Sequence, residues 1–300
     1  MDHRTRLKVI RLKKNSGLGN ALRTALENSS YGLVARMDSD DISLPDRFGL
    51  QLRAFAENNS ADVVGGYISE FVGDPGNITG IRTVELEDAQ IKQDMKKRCA
   101  MNHVSVMFRK DAVIRAGGYL DWYSNEDYYL WIRMIESGCV FMNVPYVLVN
   151  VRTGSGMSAR RGGWKYFKSE QGIQKLMLEK GMIGTARYLY NVAVRVAGEL
   201  IASGPVRQIL FRIIRKAPDS VASEPVPGES LGQQEHEPFS VAMSVYGKDD
   251  PEWFDTSMNS LLSQTVVPDE IVLVIDGPVP DSIEEVISKY AGLCGSVSQE

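Results

Sequence analysis

Short apolar runs alternate along this chain with stretches whose apolar residues recur at helical spacing. Leu7-Lys8-Val9-Ile10-Arg11-Leu12 reads as a strand, and Asn15-Ser16-Gly17-Leu18-Gly19 as a turn. Residues 20–28 then place Ala21, Leu22, Ala25 and Leu26 on one helical face. Tyr31-Gly32-Leu33-Val34-Ala35-Arg36-Met37 is nearly continuous in apolar character, as a strand covered on both faces is. A helix is predicted over 45–58, with Pro45 in its first turn where the missing N–H costs little. Residues 62–71 predict a strand bent at Gly65-Gly66, 88–97 a helix, 104–108 a strand, and 111–116 a short helix stopped by Gly117-Gly118. Residues 126–137 are strongly periodic and stop at Gly138. Residues 140–151 alternate but contain Pro145, which predicts a strand near a sheet edge.

The pattern changes after residue 157. From 158 to 216 the chain is helical in spacing and basic, with twelve Lys/Arg against Glu170, Glu179 and Glu199. Cationic amphipathic segments of this kind lie on anionic bilayer surfaces, or they form a packed helical subdomain with a solvated basic face. Residues 217–237 hold three prolines and many small polar residues without periodicity, which predicts a flexible linker. Structure resumes with a strand at 239–246, a helix at 251–263, a strand at 270–276 and a helix at 281–290. That is a βαβ unit with the period of a parallel sheet, the opening of a nucleotide-binding fold placed at the end of the chain.

Composition narrows the class. With 300 residues, 43% apolar and 24% charged, the chain is globular, and a net charge of −4 disfavours general nucleic-acid binding. Cys99, Cys139 and Cys294 are odd in number and lack C-x-x-C spacing, which fits a reducing compartment rather than a disulfide framework or structural zinc. No apolar run reaches the length of a membrane span and no signal peptide is visible, so a cytoplasmic protein, peripheral at most on the inner face of the membrane, is expected.

The chemistry centres on Asp38-Ser39-Asp40-Asp41, three carboxylates at the end of the apolar strand. Isolated D-x-D triplets are mostly solvated turns. Behind a buried strand, and ahead of Ile42-Ser43-Leu44-Pro45-Asp46-Arg47-Phe48, the triplet instead suits a divalent metal presented to a phosphate-bearing ligand. Hard oxygen ligands point to Mn²⁺ or Mg²⁺. Ser244, Tyr246 and Asp276 end two adjacent predicted strands, where open sheets bind nucleotides, and Asp276-Gly277 is otherwise a plain βα turn. The backbone at Asn15 and Gly17 either offers N–H groups to a phosphate or simply turns into the helix.

Several of these stretches together resemble the family 2 glycosyltransferases of the GT-A fold. Phe239-Ser-Val-Ala-Met-Ser-Val-Tyr246 and Leu261-Leu-Ser-Gln-Thr-Val-Val-Pro-Asp-Glu-Ile-Val-Leu-Val-Ile-Asp-Gly277 resemble the family's opening. Asn15-Ser-Gly-Leu-Gly-Asn-Ala21, Ala35-Arg-Met-Asp-Ser-Asp-Asp-Ile42, Asn102-His-Val-Ser-Val-Met-Phe108, Gly117-Gly-Tyr119 and Glu126-Asp-Tyr-Tyr-Leu-Trp131 resemble its middle. Arg160-Arg-Gly-Gly163 and the helical stretch after it resemble the tail of the bacterial capsule and exopolysaccharide members. The resemblance implies an α/β fold with a Rossmann-like mixed sheet flanked by helices, extended by helices. It implies a metal-dependent, inverting transfer of a sugar from a nucleotide-diphosphate donor to a saccharide or lipid-linked acceptor, in cell-surface polysaccharide synthesis.

By the same resemblance Asp40 is the metal ligand, Asp38 lies toward the ribose, Asp276 recognises the base of the nucleotide, and Asp127 beside Glu126 is the general base. His103 and Trp131 belong to the acceptor side. Arg152, Arg160 and Arg161 form either a clamp on the pyrophosphate or a solvated loop. The order of blocks departs from the family, whose opening here comes last. The expected reading is a circular permutant: 1–157 the rear of the catalytic domain, 158–216 the basic extension, 217–237 the joining linker and 238–300 the nucleotide-binding front. The alternative is a slice of a tandem array, but a front of about sixty residues buries too little surface to fold alone. A nucleotidyltransferase would need a glycine- and lysine-rich loop after its first strand, which Gly247-Lys248 barely supplies. A non-catalytic sugar-nucleotide-binding module is the third class.

Overall fold

The computed structural model describes residues 5–154, 163–201 and 236–299. Strand β1 (Arg6–Leu12) leads through α1 (Leu18–Asn28) to β2 (Leu33–Asp38), the short β3 (Ile42–Ser43) and α2 (Arg47–Glu57). Then come β4 (Val63–Phe71), β5 (Ile78–Arg82), α3 (Asp88–Met95), a 3-10 turn at His103–Ser105, β6 (Met107–Arg109), α4 (Lys110–Arg115), α5 (Glu126–Glu136) and β7 (Phe141–Arg152). Helices α6 (Trp164–Glu179) and α7 (Thr185–Arg195) follow, with a π-helical turn at Val196–Ile201. The last block holds β8 (Phe239–Val245), α8 (Pro251–Leu262), β9 (Glu270–Asp276), α9 (Asp281–Leu293) and β10 (Gly295–Gln299).

These strands form one mixed sheet of order β10-β1-β9-β8-β2-β6-β4-β7-β3, with β5 added beside β4. Strand β8 runs parallel to β2, from Leu33↔Phe239 to Asp38↔Ser244, and parallel to β9 on its other side. Beyond β9 lies β1, in parallel register from Arg6↔Glu270 to Leu12↔Asp276. The carboxyl ends of β2, β8 and β9 therefore share one sheet edge. Alternate residues of β8 and β9 feed two cores. Val241, Met243, Ile271 and Leu273 join Phe48, Phe254 and Met258 on one face. Ala242, Val272 and Val274 join Leu22, Leu26, Trp131 and Ile173 on the other. Burial on both faces is why these strands read as unbroken apolar runs.

Two expectations are revised and one holds. Residues 104–108 do not form one strand: Ser105 Oγ donates to the carbonyls of Asn102 (2.9 Å) and Gly66 (3.2 Å), holding a 3-10 turn before β6 begins. Strand β7 lies near the sheet edge, as its Pro145 predicts, with only the two residues of β3 paired beyond it. Its Pro145 falls where the β4 register steps from Gly66↔Val144 to Tyr67↔Val147, a bulge that leaves no ladder bond for the missing N–H to make. Helix α2 starts after Asp46, and Pro45 stands before it with its carbonyl accepting from Thr265 N at 2.9 Å.

Helices α6 and α7 pack onto the body, with Phe167, Ile173 and Met177 buried. Among the described residues no helix is long and apolar enough to cross a membrane. Most of the predicted linker, together with Arg160 and Arg161, lies outside the described residues.

Buried Glu270 ties the two blocks. Its carboxylate accepts from Ser30 N (2.8 Å), Ser30 Oγ (2.7 Å) and Ser240 Oγ (2.7 Å), joining β9 and β8 to the turn ahead of β2. Glu270→Ala leaves the buried Ser240 hydroxyl without this acceptor, while the exposed Ser30 can turn to water, so urea denaturation should show a loss of about 2 kcal/mol. A loss below about 0.5 kcal/mol would mean that the donors find other partners.

Candidate functional site

At the end of β2 the carboxylate oxygens of Asp38, Asp40 and Asp41 lie within 4.8 Å of one another. The turn that gathers them is held from both blocks. Ser257 Oγ on α8 donates to the Asp38 carbonyl (2.9 Å), and Ser39 Oγ donates to Asp249 Oδ2 (2.8 Å) in the loop after β8. Asp249 Oδ2 also accepts from Tyr246 N (3.1 Å), and Asp250 caps α8 by accepting from Glu252 N and Trp253 N. From β7, Arg152 N donates to Asp41 Oδ1 (2.8 Å) and Arg152 Nε to the Asp40 carbonyl (3.2 Å). The Arg152 guanidinium lies over both Phe71 (4.7 Å) and Trp253 (4.4 Å) and also donates to the Gly73 carbonyl. It is thus engaged as a brace for the turn.

Arg36, buried two residues before Asp38 on the same strand, pairs with it at 2.5 Å. Burial pushes the Asp40 carboxyl up to about 6, with the charges of Asp38 and Asp249 adding to it. Burial, then Asp38 and Asp40, holds Asp41 well above the carboxylate range. Three crowded, partly desolvated carboxylates are a donor set that a hard divalent cation would neutralise, so the residues fit Mn²⁺ or Mg²⁺.

On the neighbouring strand end, Asp276 Oδ1 accepts from Ser16 N (2.7 Å) and Ser16 Oγ (2.9 Å), while Oδ2 accepts from Gly17 N (3.0 Å). The turn at Asn15–Gly17 therefore wraps this carboxylate, and two of the N–H groups expected to face a ligand are spent on it. Gly277 makes the approach achievable: its φ is +89°, and a Cβ there would stand 2.5 Å from Asn15 N. Ser244 is the register partner of Asp38, and Tyr246 is partly exposed at the same edge.

The acidic start of α5 faces this edge. Asn125, at the N-cap, does not cap the helix; its amide donates to Ser169 Oγ on α6 (3.1 Å). Asp127 Oδ1 accepts from Tyr128 N (2.7 Å) and Oδ2 from the Cys99 thiol (3.5 Å). Burial pushes Glu126 up to about 7, reinforced by the charge of Asp127; Arg36 opposes the shift and Asp38 adds to it, so the two acidic clusters sense each other. His103 Nε2 bonds Tyr119 OH at 2.8 Å, and burial, with Arg36 beside it, drives the imidazole well below its ordinary range, leaving it neutral. Trp131 is fully buried, edge-on to His103 with ring centroids 5.9 Å apart.

Sequence reasoning assigned no role to Arg36, Asp249 or Cys99. A lone arginine inside an apolar strand was the available signal for Arg36. Asp249 carried none, because only the pairing of β8 with β2 brings it to the metal side.

Residues 1–117 match the model of the family described as glycosyl transferase family 2. The chain is 37% identical over 210 residues to an uncharacterized glycosyltransferase of Haemophilus influenzae, covering 70% of this chain and 78% of that protein. The same figures hold for the amylovoran biosynthesis glycosyltransferase AmsE of Erwinia amylovora. Identity is 33%, covering 70% of this chain and 76% of the relative, to the UDP-Gal:alpha-D-GlcNAc-diphosphoundecaprenol beta-1,3-galactosyltransferase of Escherichia coli.

The crowded acids set a pH dependence. Asp40, Asp41 and Glu126 bind their protons more tightly folded than unfolded. Their contribution is fully present below about pH 4 and is lost as pH rises through the folded values of about 6 and about 7. Denaturation of the metal-free protein between about pH 5 and about pH 8 should show this fall, and Glu126→Gln should flatten its upper part. An unchanged slope in that variant would place Glu126 in water.

Proposed function

The chain belongs to glycosyl transferase family 2, and from that premise we propose that it transfers a sugar, with inversion, from a nucleoside-diphosphate donor to a hydroxyl of a saccharide or lipid-linked saccharide in cell-surface polysaccharide synthesis. The observation that carries this reading is the convergence, at one sheet edge, of Asp38 and Asp40 from one block with Ser244, Tyr246, Asp249 and Asp276 from the other. The relatives' roles in amylovoran biosynthesis and in galactosyl transfer to a diphosphoundecaprenol-linked sugar support the substrate class.

Asp40, with Asp38, would hold Mn²⁺ or Mg²⁺, which when bound supplies Lewis-acid stabilisation of the charge growing on the departing diphosphate. Asp38 is steadied by Arg36 on the ribose side, and Asp41 anchors the turn to β7. Asp276, with the Ser16–Gly17 backbone folded over it, shapes the nucleotide end, and Tyr246 lies exposed beside it. Asp127 takes the acceptor proton as that oxygen attacks the anomeric carbon on the face opposite the breaking bond to phosphate, whose electron pair leaves with the diphosphate. Glu126, pushed up to about 7 by burial and by the charge of Asp127, stands beside the base at the start of α5. Neutral His103 lines the acceptor side.

The block order belongs to the same proposal. We read 238–300 as the nucleotide-binding front and 1–157 as the rear of one permuted GT-A domain, with 158–216 as its extension and 217–237 as the join. Insertion of β8 between β2 and β9 supports this over a slice of a tandem array.

Asp40→Ala should abolish Mn²⁺-dependent binding of a nucleoside diphosphate in calorimetry while circular dichroism stays unchanged; undiminished binding would sink the metal assignment. Asp127→Asn should keep donor affinity and lose transfer by at least about 10²-fold, the scale of general-base loss. Near-normal turnover in that variant would make Asp127 structural.

A further inference from the structure

Helix α7 faces the wrong way round. Its fully buried residues are polar, beside the partly buried Tyr188 that packs on the core: Asn191 donates to the Lys96 carbonyl and to Gln174 Oε1, both at 2.7 Å. Arg195 pairs with Glu170 at 2.6 Å and donates to the Lys97 carbonyl at 2.9 Å. Its outer side carries Ala186, Leu189, Tyr190, Ala193 and Val194, with the three large residues 60%, 62% and 51% exposed. A surface helix ordinarily turns its apolar stripe to the core. Here polar bonds fasten the helix and the stripe, at helical spacing over two turns, is presented outward. Single exposed leucines are unremarkable, but a continuous stripe is not.

The chemistry around this stripe selects its occupant. In this region Lys175, Lys180 and Arg195 are matched to Glu179, Glu136 and Glu170. Three other cations stack on exposed rings: Lys165 over Tyr123 (3.9 Å), Lys168 over Trp164 (5.4 Å) and Arg187 over Tyr190 (5.9 Å). Helix α7 itself contains no acidic residue. Apolar residues, exposed aromatics and long cations without acids are the composition of the water–lipid boundary, where the rings sit at headgroup level and the cations meet anionic phosphates. Protein interfaces are instead depleted in lysine.

The helix pair is also bolted to the base. Trp122 Nε1 donates to the Ser169 carbonyl (3.3 Å), and Ser169 Oγ donates to the Tyr123 carbonyl (2.5 Å), fixing the loop that starts α5. The α7 bonds to the Lys96 and Lys97 carbonyls fix the turn leading to Cys99, the donor to Asp127. We propose that the outer face of α7, with Arg187 over Tyr190 on it and the Lys165 and Lys168 pairs at the start of α6, docks on an anionic lipid bilayer and holds the Asp127 side of the site toward the membrane. Docking stands on the surface alone; presentation of a lipid-linked acceptor rests on the glycosyl-transfer reading.

Sedimentation of the full chain with phosphatidylcholine vesicles, with and without phosphatidylglycerol, tests it. Binding should require the anionic lipid and weaken with salt. Leu189→Glu with Val194→Glu should cut it at least tenfold with the melting temperature unchanged, and Lys168→Glu with Arg187→Glu should remove the preference for anionic lipid. Indifference of the parent to anionic vesicles at low salt, or full binding by the first double variant, would overturn docking. So would a steep fall in that variant's melting temperature, meaning the chain covers its own stripe, or a dimer that it splits in gel filtration. Nucleoside-diphosphate binding should be equal in parent and variants; its absence in all of them would count against the glycosyl-transfer reading and leave docking standing.

Discussion

Everything at this site depends on one strand insertion. Strand β8 lies between β2 and β9, and parallel pairing on both sides fixes which side chains meet. Register alone sets Ser244 opposite Asp38 and carries the loop with Tyr246 and Asp249 to the aspartate turn. A slip of one residue would turn every β8 side chain to the other core, and apolar burial on both faces opposes it. Residues more than two hundred positions apart thereby form one edge, and Glu270 and Asp276 secure it by accepting hydrogen bonds across the two blocks.

The same edge concentrates negative charge where water is scarce. Asp38, Asp40, Asp41 and Asp249 repel one another, and Arg36 is the buried cation that tempers them. Arg36 also reaches Glu126 and His103 electrostatically, so a single guanidinium lies between the proposed metal side and the proposed base side. Beneath it Arg47, likewise buried, donates to the carbonyls of Arg36 and Val106, and burial lowers it to about 9. Crowded carboxylates of this kind oppose folding, and a divalent cation held there, as proposed, would relieve them and couple ligand binding to stability.

Much of this was legible in the residues. The unbroken apolar runs of β2, β8 and β9 and the acids closing them announced a doubly covered sheet with chemistry at its carboxyl edge, and family motifs named the reaction class. What stayed hidden is tertiary. Ser105 bends its segment by bonding to Gly66, which is distant in sequence. Pro145 survives inside a paired strand because the facing register steps there. Trp131, in a site motif, is fully buried, and the Ser16 and Gly17 amides are taken by Asp276. The basic helices looked amphipathic in the usual sense, and only the polar anchors Asn191 and Arg195 reveal that α7 is inverted.

Amide hydrogen exchange on the full chain, with and without Mn²⁺ and a nucleoside diphosphate, tests the shared site most directly. The account predicts that ligand slows exchange together at 15–17, 38–41, 244–250 and 276–278, from both blocks. Protection confined to 238–299, or to residues before 154, would contradict it.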